Sequence, residues 1–327
     1  MQPFSYAKVT ATEKAIASID NPTAKAIAGG TNLLDLMKSY VETPNQLVDI
    51  NSLPLASVEA TTKGVRIGAL ARMSEVAQAE VIRDRFPVIS EALLASASPQ
   101  LRNMASIGGN LMQRTRCSYF RDTAFACNKR TPGAGCPALA GENRTHAILG
   151  TSSQCCCTHA SDLAVALVAM DAVVQVQGAK GDRSIPLTEF YLLPGNTPDR
   201  ETVLQPGELI VAVDVPDLPY ARRSHYLKVR DRASYEFALV SAAVALDVEK
   251  GKIQAARVAL GGVGTKPWRS QAAEKALQGQ PANQTSFQQA AQIALRSAKT
   301  LQHNAFKVEM AKRTLVRALA TVVGETG

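Results

Sequence analysis

The residues best equipped for chemistry are six thiols, Cys117, Cys127, Cys136, Cys155, Cys156 and Cys157, all within positions 117–157 of a 327-residue chain. Their spacing, Cys117-x9-Cys127-x8-Cys136-x18-Cys155, speaks against two ordinary uses. Disulfides belong to exported chains, and three adjacent cysteines are awkward to pair. Structural zinc favours close pairs of cysteines two to four residues apart, a pattern missing here. Inert buried thiols would not be expected to cluster. Four thiolates from a long loop containing Thr131-Pro132-Gly133-Ala134-Gly135 suit an iron–sulfur cluster, for which four cysteines are the usual ligation.

Three polar turns surround this loop. Ala105-Ser106-Ile107-Gly108-Gly109-Asn110-Leu111 precedes it and Thr158-His159-Ala160-Ser161-Asp162 follows it. Far upstream, Ala26-Ile27-Ala28-Gly29-Gly30-Thr31-Asn32-Leu33-Leu34 reads as strand, Gly-Gly turn and helix. Backbone N–H groups at such a turn, with a helix N-terminus behind them, attract phosphate or pyrophosphate. The Gly-x-Gly-x-x-Gly pattern is absent, so an ordinary Rossmann site is not indicated. Each turn alone has a plainer reading: a strand-to-helix connection, a loop, an N-cap at Ser161, a structural His159. Two Gly-Gly turns followed by Thr or Asn suggest a ligand gripped by backbone at two points.

The elements that position these residues are legible from pattern. A helix over Thr12–Ile19 ends at Asn21-Pro22, Lys25–Ala28 is a short strand, and Thr31 or Asn32 caps the helix through Tyr40. Leu47–Ile50 is the next strand. Val65, Ile67 and Ala69 alternate as a half-buried strand, Ser74 caps a helix, and Pro87 opens a longer one to Ala97. After the thiol loop, Asp162–Met170 reads as an apolar helix and Val173–Val176 as a strand. Thr188–Tyr191 and Leu193–Asp199 form a surface excursion, and Glu208–Val215 is another strand. Pro216-Asp217-Leu218-Pro219 is the clearest linker. Beyond it Phe237–Val248 and Ile253–Leu260 form a hairpin across Glu249–Lys252, and helices follow at 270–277, 287–301 and 307–323. The chain divides into 1–52, 53–219 with the thiol loop at 114–157, and 220–327.

Composition bounds the class. Apolar residues are 46% and charged residues 20%, as expected of a folded globular protein. No run approaches the roughly 18 apolar residues of a membrane span, and Met1–Tyr6 shows no signal-peptide pattern. The reading is a cytoplasmic chain, with the periplasm open only through co-export with a partner carrying a twin-arginine signal. The net charge is +8, but the basic residues are scattered apart from Arg222-Arg223 and Lys228–Arg232. That points away from nucleic acid and towards docking of an acidic protein partner.

Together these motifs resemble the FAD-binding medium subunit of the xanthine dehydrogenase family of molybdenum hydroxylases. The turns Ala28–Thr31, Gly108–Asn110 and Ser161-Asp162 and the C-terminal strands-then-helices occur in that family's order, over essentially the whole chain. Arg114–Cys117, Cys127–Arg130, Lys228–Tyr235 and the thiol loop are most similar to the FAD/[4Fe–4S] subunit of bacterial periplasmic-type aldehyde oxidoreductases. The resemblance implies an α+β chain: a two-part FAD-binding domain of the vanillyl-alcohol oxidase type, then a C-terminal α+β domain. It implies that Ala26–Leu34 hold the FAD pyrophosphate. Ser106, Gly109, Asn110 and Ser118 touch the flavin and ribityl chain, His159 and Asp162 bind around the ribityl and ribose, and Lys228 lies near the isoalloxazine. Cys117, Cys127, Cys136 and Cys155 are the implied [4Fe–4S] ligands, the triplet Cys155–Cys157 departing from a pattern with one cysteine. Position 160 is Ala where the family often has Pro. The implied role is electron transfer in a heterotrimer with a large molybdenum-cofactor subunit that oxidises aldehyde and a small [2Fe–2S] subunit. The alternative is a sister enzyme acting on a purine, CO or an aromatic CoA thioester.

Overall fold

The computed structural model describes residues 1–324, and three sheets follow one another along the chain. The first joins β1 (Ser5–Lys8), β2 (Ala24–Ile27) and β3 (Gln46–Asp49) in the order β1-β3-β2, all parallel. Parallel neighbours need crossovers, which the helices Thr12–Ile19 and Leu33–Lys38 supply. Strands this short bury little surface alone. Their core of Val9, Ala15, Ala24, Val48 and Ile50 is completed by Leu53, Leu70 and Leu209 from the next part of the chain.

The second sheet contains β4 (Val58–Thr61), β5 (Gly64–Gly68), β6 (Val173–Gly178), β7 (Gly181–Pro186) and β8 (Leu209–Pro216), antiparallel in the order β4-β5-β8-β6-β7. Val65 opposes Val215 and Ile67 opposes Val213, so one face is continuous apolar surface. Every residue of the helix Asp162–Ala169 is buried, as expected of a helix apolar all round. It packs with Val174, Val213 and Val215 on one side and Ala243, Ala245 and Ala259 on the other.

Those last residues belong to the third sheet, of β9 (Ser224–Val229), β10 (Val240–Glu249), β11 (Lys252–Gly261) and β12 (Trp268–Arg269), antiparallel in the order β12-β11-β10-β9. Lys250 and Gly251 turn the β10–β11 hairpin with φ of 49° and 75°, the two positive values a type I′ turn needs. Helices Gln271–Leu277, Gln284–Ala294 and Phe306–Val322 close this domain over a core that includes Ile148 and Leu149 of the thiol loop.

The chain is thus an α+β protein. Four local expectations change. Arg72, not Ser74, sits at the N-cap of the helix Met73–Gln78, whose Glu75 accepts from the Arg72 N–H at 3.3 Å. Strand β9 was hidden by its polar His225 and Lys228. The helix expected to reach Leu301 stops at Ala294. Phe190 and Tyr191, expected on a surface excursion, are buried, because this apolar pair packs under the helix Asp162–Ala169.

Candidate functional site

A cleft of about 650 Å³ separates the first sheet from the second part of the chain. One wall is the segment Ala26–Leu33, which leaves β2, turns at Gly29-Gly30 and enters the next helix. Gly30 has φ of 70°, and a Cβ on Gly29 would lie 1.9 Å from the Met104 carbonyl oxygen. The turn is therefore seated directly on the backbone that leads into the second Gly-Gly motif. Arg72 fixes the junction by donating to that same Met104 oxygen and, at 2.9 Å, to Asn51 Oδ1.

The opposite wall carries Ser106, Gly108 and Gly109. Here the sequence folds into a short helix, Ile107–Leu111, capped by Ser106 Oγ, which accepts from the Gly109 N–H at 3.2 Å. Gly108 faces Ala69, where a Cβ would meet the Ala69 side chain at 3.1 Å. Asn110 points away from the cleft: its Oδ1 accepts from Ser161 Oγ, which also caps the helix Asp162–Ala169 by accepting from the Ala164 N–H at 3.0 Å. The two motifs that flank the thiol loop in sequence are thereby joined in space. Thr115 Oγ1 adds a second tie to the Thr158 carbonyl at 2.9 Å.

His159 stands on the cleft wall with its ring 4.4 Å from that of Tyr191. Burial depresses its pKa to about 4, so the imidazole is neutral at ordinary pH. Its Nδ1 accepts from the Ser161 N–H at 3.3 Å, which puts the single ring proton on Nε2, a buried atom without a partner. Asn32 repeats the pattern: Oδ1 accepts from the Arg114 N–H at 3.1 Å while Nδ2 is buried and unpaired. Buried donors are nearly always satisfied. Two unpaired donors lining one cleft fit a long ligand rich in oxygen acceptors, as a pyrophosphate and a polyol chain are.

Charge closes one end of the cleft. Arg114 bridges Glu42 of the first part and Glu201 of the second, both at 2.5 Å, and Lys129 reaches Glu201 at 3.0 Å and the Pro198 carbonyl at 2.8 Å. Burial pushes the Glu201 carboxyl up, but Arg114 and Lys129 outweigh it and hold its pKa below the ordinary value. Burial likewise works against Lys129, and the neighbouring Cys157 and Glu201 hold its pKa above normal.

Cys117, Cys127, Cys136, Cys155 and Cys157 surround a second, smaller cavity together with His146. All six cysteines are free thiols. Thr115, Lys129 and Cys157 line both this cavity and the cleft, so the two chambers share one wall. Burial pushes the Cys117 thiol up to about 12, and a hydrogen bond from Cys156 brings Cys136 down to about 6. Among the described residues no three His, Cys, Asp or Glu side chains converge as a single metal ion requires. The space that the five cysteines line is about 10 Å³, and their sulfurs are a donor set of the chemical type that an iron–sulfur cluster takes.

Other sequence-predicted residues lie off the cleft wall. Leu34 packs over Gly30, and Ser118 opens the short helix Ser118–Arg121 with its side chain exposed. Asp162 and Lys228 form a buried ion pair at 2.8 Å. Tyr226 and Ser96 hydroxyls donate to the same carboxylate at 2.6 and 3.1 Å, and Lys228 also donates to the Ala95 carbonyl at 3.2 Å. Sequence reasoning missed Arg114, Lys129, Tyr191 and Glu201 as wall residues. Tyr191 had one available signal, the apolar run Phe190-Tyr191-Leu192; the charged residues had none.

A parallel-sheet unit and an antiparallel-sheet unit facing across a polar cleft, followed by a strand-and-helix domain, define a flavin-binding class. The family model "FAD binding domain in molybdopterin dehydrogenase" matches residues 2–218, and "CO dehydrogenase flavoprotein C-terminal domain" matches 225–322. The chain belongs to this FAD-binding family of the molybdopterin dehydrogenases. It is 50% identical to the aldehyde oxidoreductase FAD-binding subunit PaoB of Escherichia coli (strain K12), over 98% of each chain. It is 28% identical to the glyceraldehyde dehydrogenase medium chain of Sulfolobus acidocaldarius, over 86% of this chain and 83% of that one. Its fold is that of a chain in the carbon monoxide dehydrogenase of Hydrogenophaga pseudoflava, with a TM-score of 0.77 at 24% identity, covering 100% and 99% of the two chains. No helix among the described residues is long and apolar enough to cross a membrane.

Proposed function

We propose that the chain is the FAD- and [4Fe–4S]-carrying electron-transfer subunit of a molybdenum-dependent aldehyde oxidoreductase, working in a heterotrimer with a large molybdenum-cofactor subunit and a small [2Fe–2S] subunit. The observation that carries the reading is the end-to-end match to an aldehyde oxidoreductase FAD-binding subunit. The joining of a polar cleft to a thiol-lined cavity through Cys157, Thr115 and Lys129 supports it.

FAD, when bound, supplies the redox chemistry, taking up electrons and passing them to an acceptor. The chain's own residues bind and orient. The backbone of Ala26–Leu33, seated by Gly29 and Gly30, faces the pyrophosphate, and Asn32 Nδ2 offers it a free donor. Ser106 and Gly109 line the opposite wall, and His159 Nε2 offers a neutral donor to the ribityl region. Asn110, through Ser161, keeps the two flanking motifs in register. Asp162 and Lys228, neutralising each other behind the wall, hold the helix Asp162–Ala169 against β9. Cys117, Cys127, Cys136 and Cys155 are the proposed ligands that would hold the cluster, and Cys157 belongs to the wall shared by the thiol cavity and the cleft.

The complex purified without oxygen tests the proposal through flavin, iron and acid-labile sulfide content, followed by turnover with aldehydes. FAD together with iron and sulfide on this subunit is the expected result. FAD without iron removes the cluster half, and no turnover of any aldehyde removes the substrate assignment.

A further inference from the structure

We propose that His146 donates a hydrogen bond to the Cys117 sulfur once that sulfur is a thiolate ligand, and that Lys307 and Asn304 of the C-terminal domain are the positioning residues that aim the ring. This rests on the cluster reading above.

His146 Nε2 lies 3.2 Å from Cys117 Sγ, and its Nδ1 is buried with no partner. A neutral imidazole carries one proton, and its position follows from what the sulfur offers. A thiol can give its own proton to Nε2. A thiolate bound to iron has none, so the contact remains a hydrogen bond only with the proton on Nε2. The cost is an unpaired acceptor at Nδ1, which is tolerated better than an unpaired buried N–H.

The ring is aimed by backbone held from another domain. Lys307 is fully buried, yet it makes no ion pair among the described residues. Its Nζ donates to the carbonyls of Thr145 at 3.0 Å, His146 at 3.0 Å and Gly262 at 2.6 Å. Asn304, also fully buried, donates to the carbonyls of His146 at 3.4 Å and Ala147 at 3.3 Å. Burying an ammonium is costly unless its donors are satisfied. Spending all three on a short stretch of loop and one strand end makes a rigid clamp. A donor to a ligand sulfur favours the reduced, more negative state of a cluster and raises its potential. The C-terminal domain would thus set the potential of a cluster to which it contributes no ligand.

The test uses the intact complex, with iron and sulfide measured before an anaerobic redox titration followed by electron paramagnetic resonance. His146→Leu is expected to keep its iron and shift the cluster midpoint to more negative potential. His146→Gln, which keeps a donor at similar reach, is expected to recover most of the shift. Lys307→Met is expected to move the midpoint the same way as His146→Leu. An unchanged midpoint in an iron-replete His146→Leu complex overturns the proposal. Loss of iron from all three variants overturns it as well, because His146 would then be required for ligation. A wild-type complex without iron refutes the cluster reading instead, so the two failures are distinct.

Discussion

Replacing Gly29 with Ala tests whether the cleft depends on the seating of the first Gly-Gly turn. The added Cβ would lie 1.9 Å from the Met104 carbonyl oxygen and 2.6 Å from its carbon. Ordinary contact begins near 3.4 Å, so the two backbones must separate by about 1.5 Å. Neither partner is a side chain that could swing away, and Arg72 pins the Met104 carbonyl from the other side. Overpacking of this kind costs about 1–3 kcal/mol. Because the displaced segments are the two walls that face the ligand, the strain appears in FAD affinity as well as in stability. The expected loss of affinity is about 5- to 150-fold, at 1.36 kcal/mol per decade. Gly181→Ala, on the β6–β7 hairpin and off the cleft wall, has open space around its added Cβ but a φ of 111° that strains any side chain. It controls for strain outside the cleft: stability should fall while FAD affinity holds. Apo chain would be titrated with FAD by flavin fluorescence, beside thermal melts. If Gly29→Ala bound FAD within twofold of wild type and melted with it, the claim that the turn is held by direct backbone contact would fail.

His159→Leu removes an unpaired donor of the cleft wall, and a lost hydrogen bond of about 0.5–1.5 kcal/mol predicts FAD binding weaker by about 2- to 12-fold in the same titration. Glu201→Gln breaks the pairing with Arg114 and Lys129; with 28% of that side chain exposed, a loss of about 1–3 kcal/mol is expected by denaturant melts, below that of a sealed pair. Since the folded Glu201 pKa lies below its unfolded value near 4.3, its contribution is complete above that pH and fades as pH falls through the folded value. Wild-type melts should therefore lose more stability than Glu201→Gln on going from pH 5 to pH 3, and parallel curves would refute the linkage. Cys156 lies off the wall of the thiol cavity, so Cys156→Ala should retain wild-type iron in the complex while Cys155→Ala loses it; the reverse pattern would move the ligand within the triplet.

Legibility of the site in sequence followed the range of the interactions. The Gly-Gly turns, the Ser161 cap and the I′ hairpin at Lys250-Gly251 are local, and their residue types announce them. The apolar helix after Asp162 was equally plain, since nothing polar interrupts it. The Arg114–Glu42–Glu201–Lys129 network brings together residues from distant parts of the chain, and no short-range pattern marks such partners. Asp162 and Lys228 show the same limit differently: the resemblance implied ligand contact for both, and the fold pairs them with each other, a partnership no local pattern announces. Asn32 was expected to cap a helix, yet its side chain spans to Arg114, a choice that only the neighbouring segment could reveal.

The first sheet completes its core with Leu209, and the cleft it borders closes only when Glu201 arrives beside Arg114. A ribosome adding about 5–20 residues per second takes roughly 10–35 seconds to travel from Ala26–Leu34 to Leu209. During that interval the Gly-Gly turn gains Ser106, Gly108 and Gly109 opposite it but still lacks the wall residues Tyr191, Glu201 and Leu209. The complete cleft therefore exists only once β8 has been made. A truncated chain ending before β8 would leave the parallel strands with an unfinished core and expose them to proteolysis.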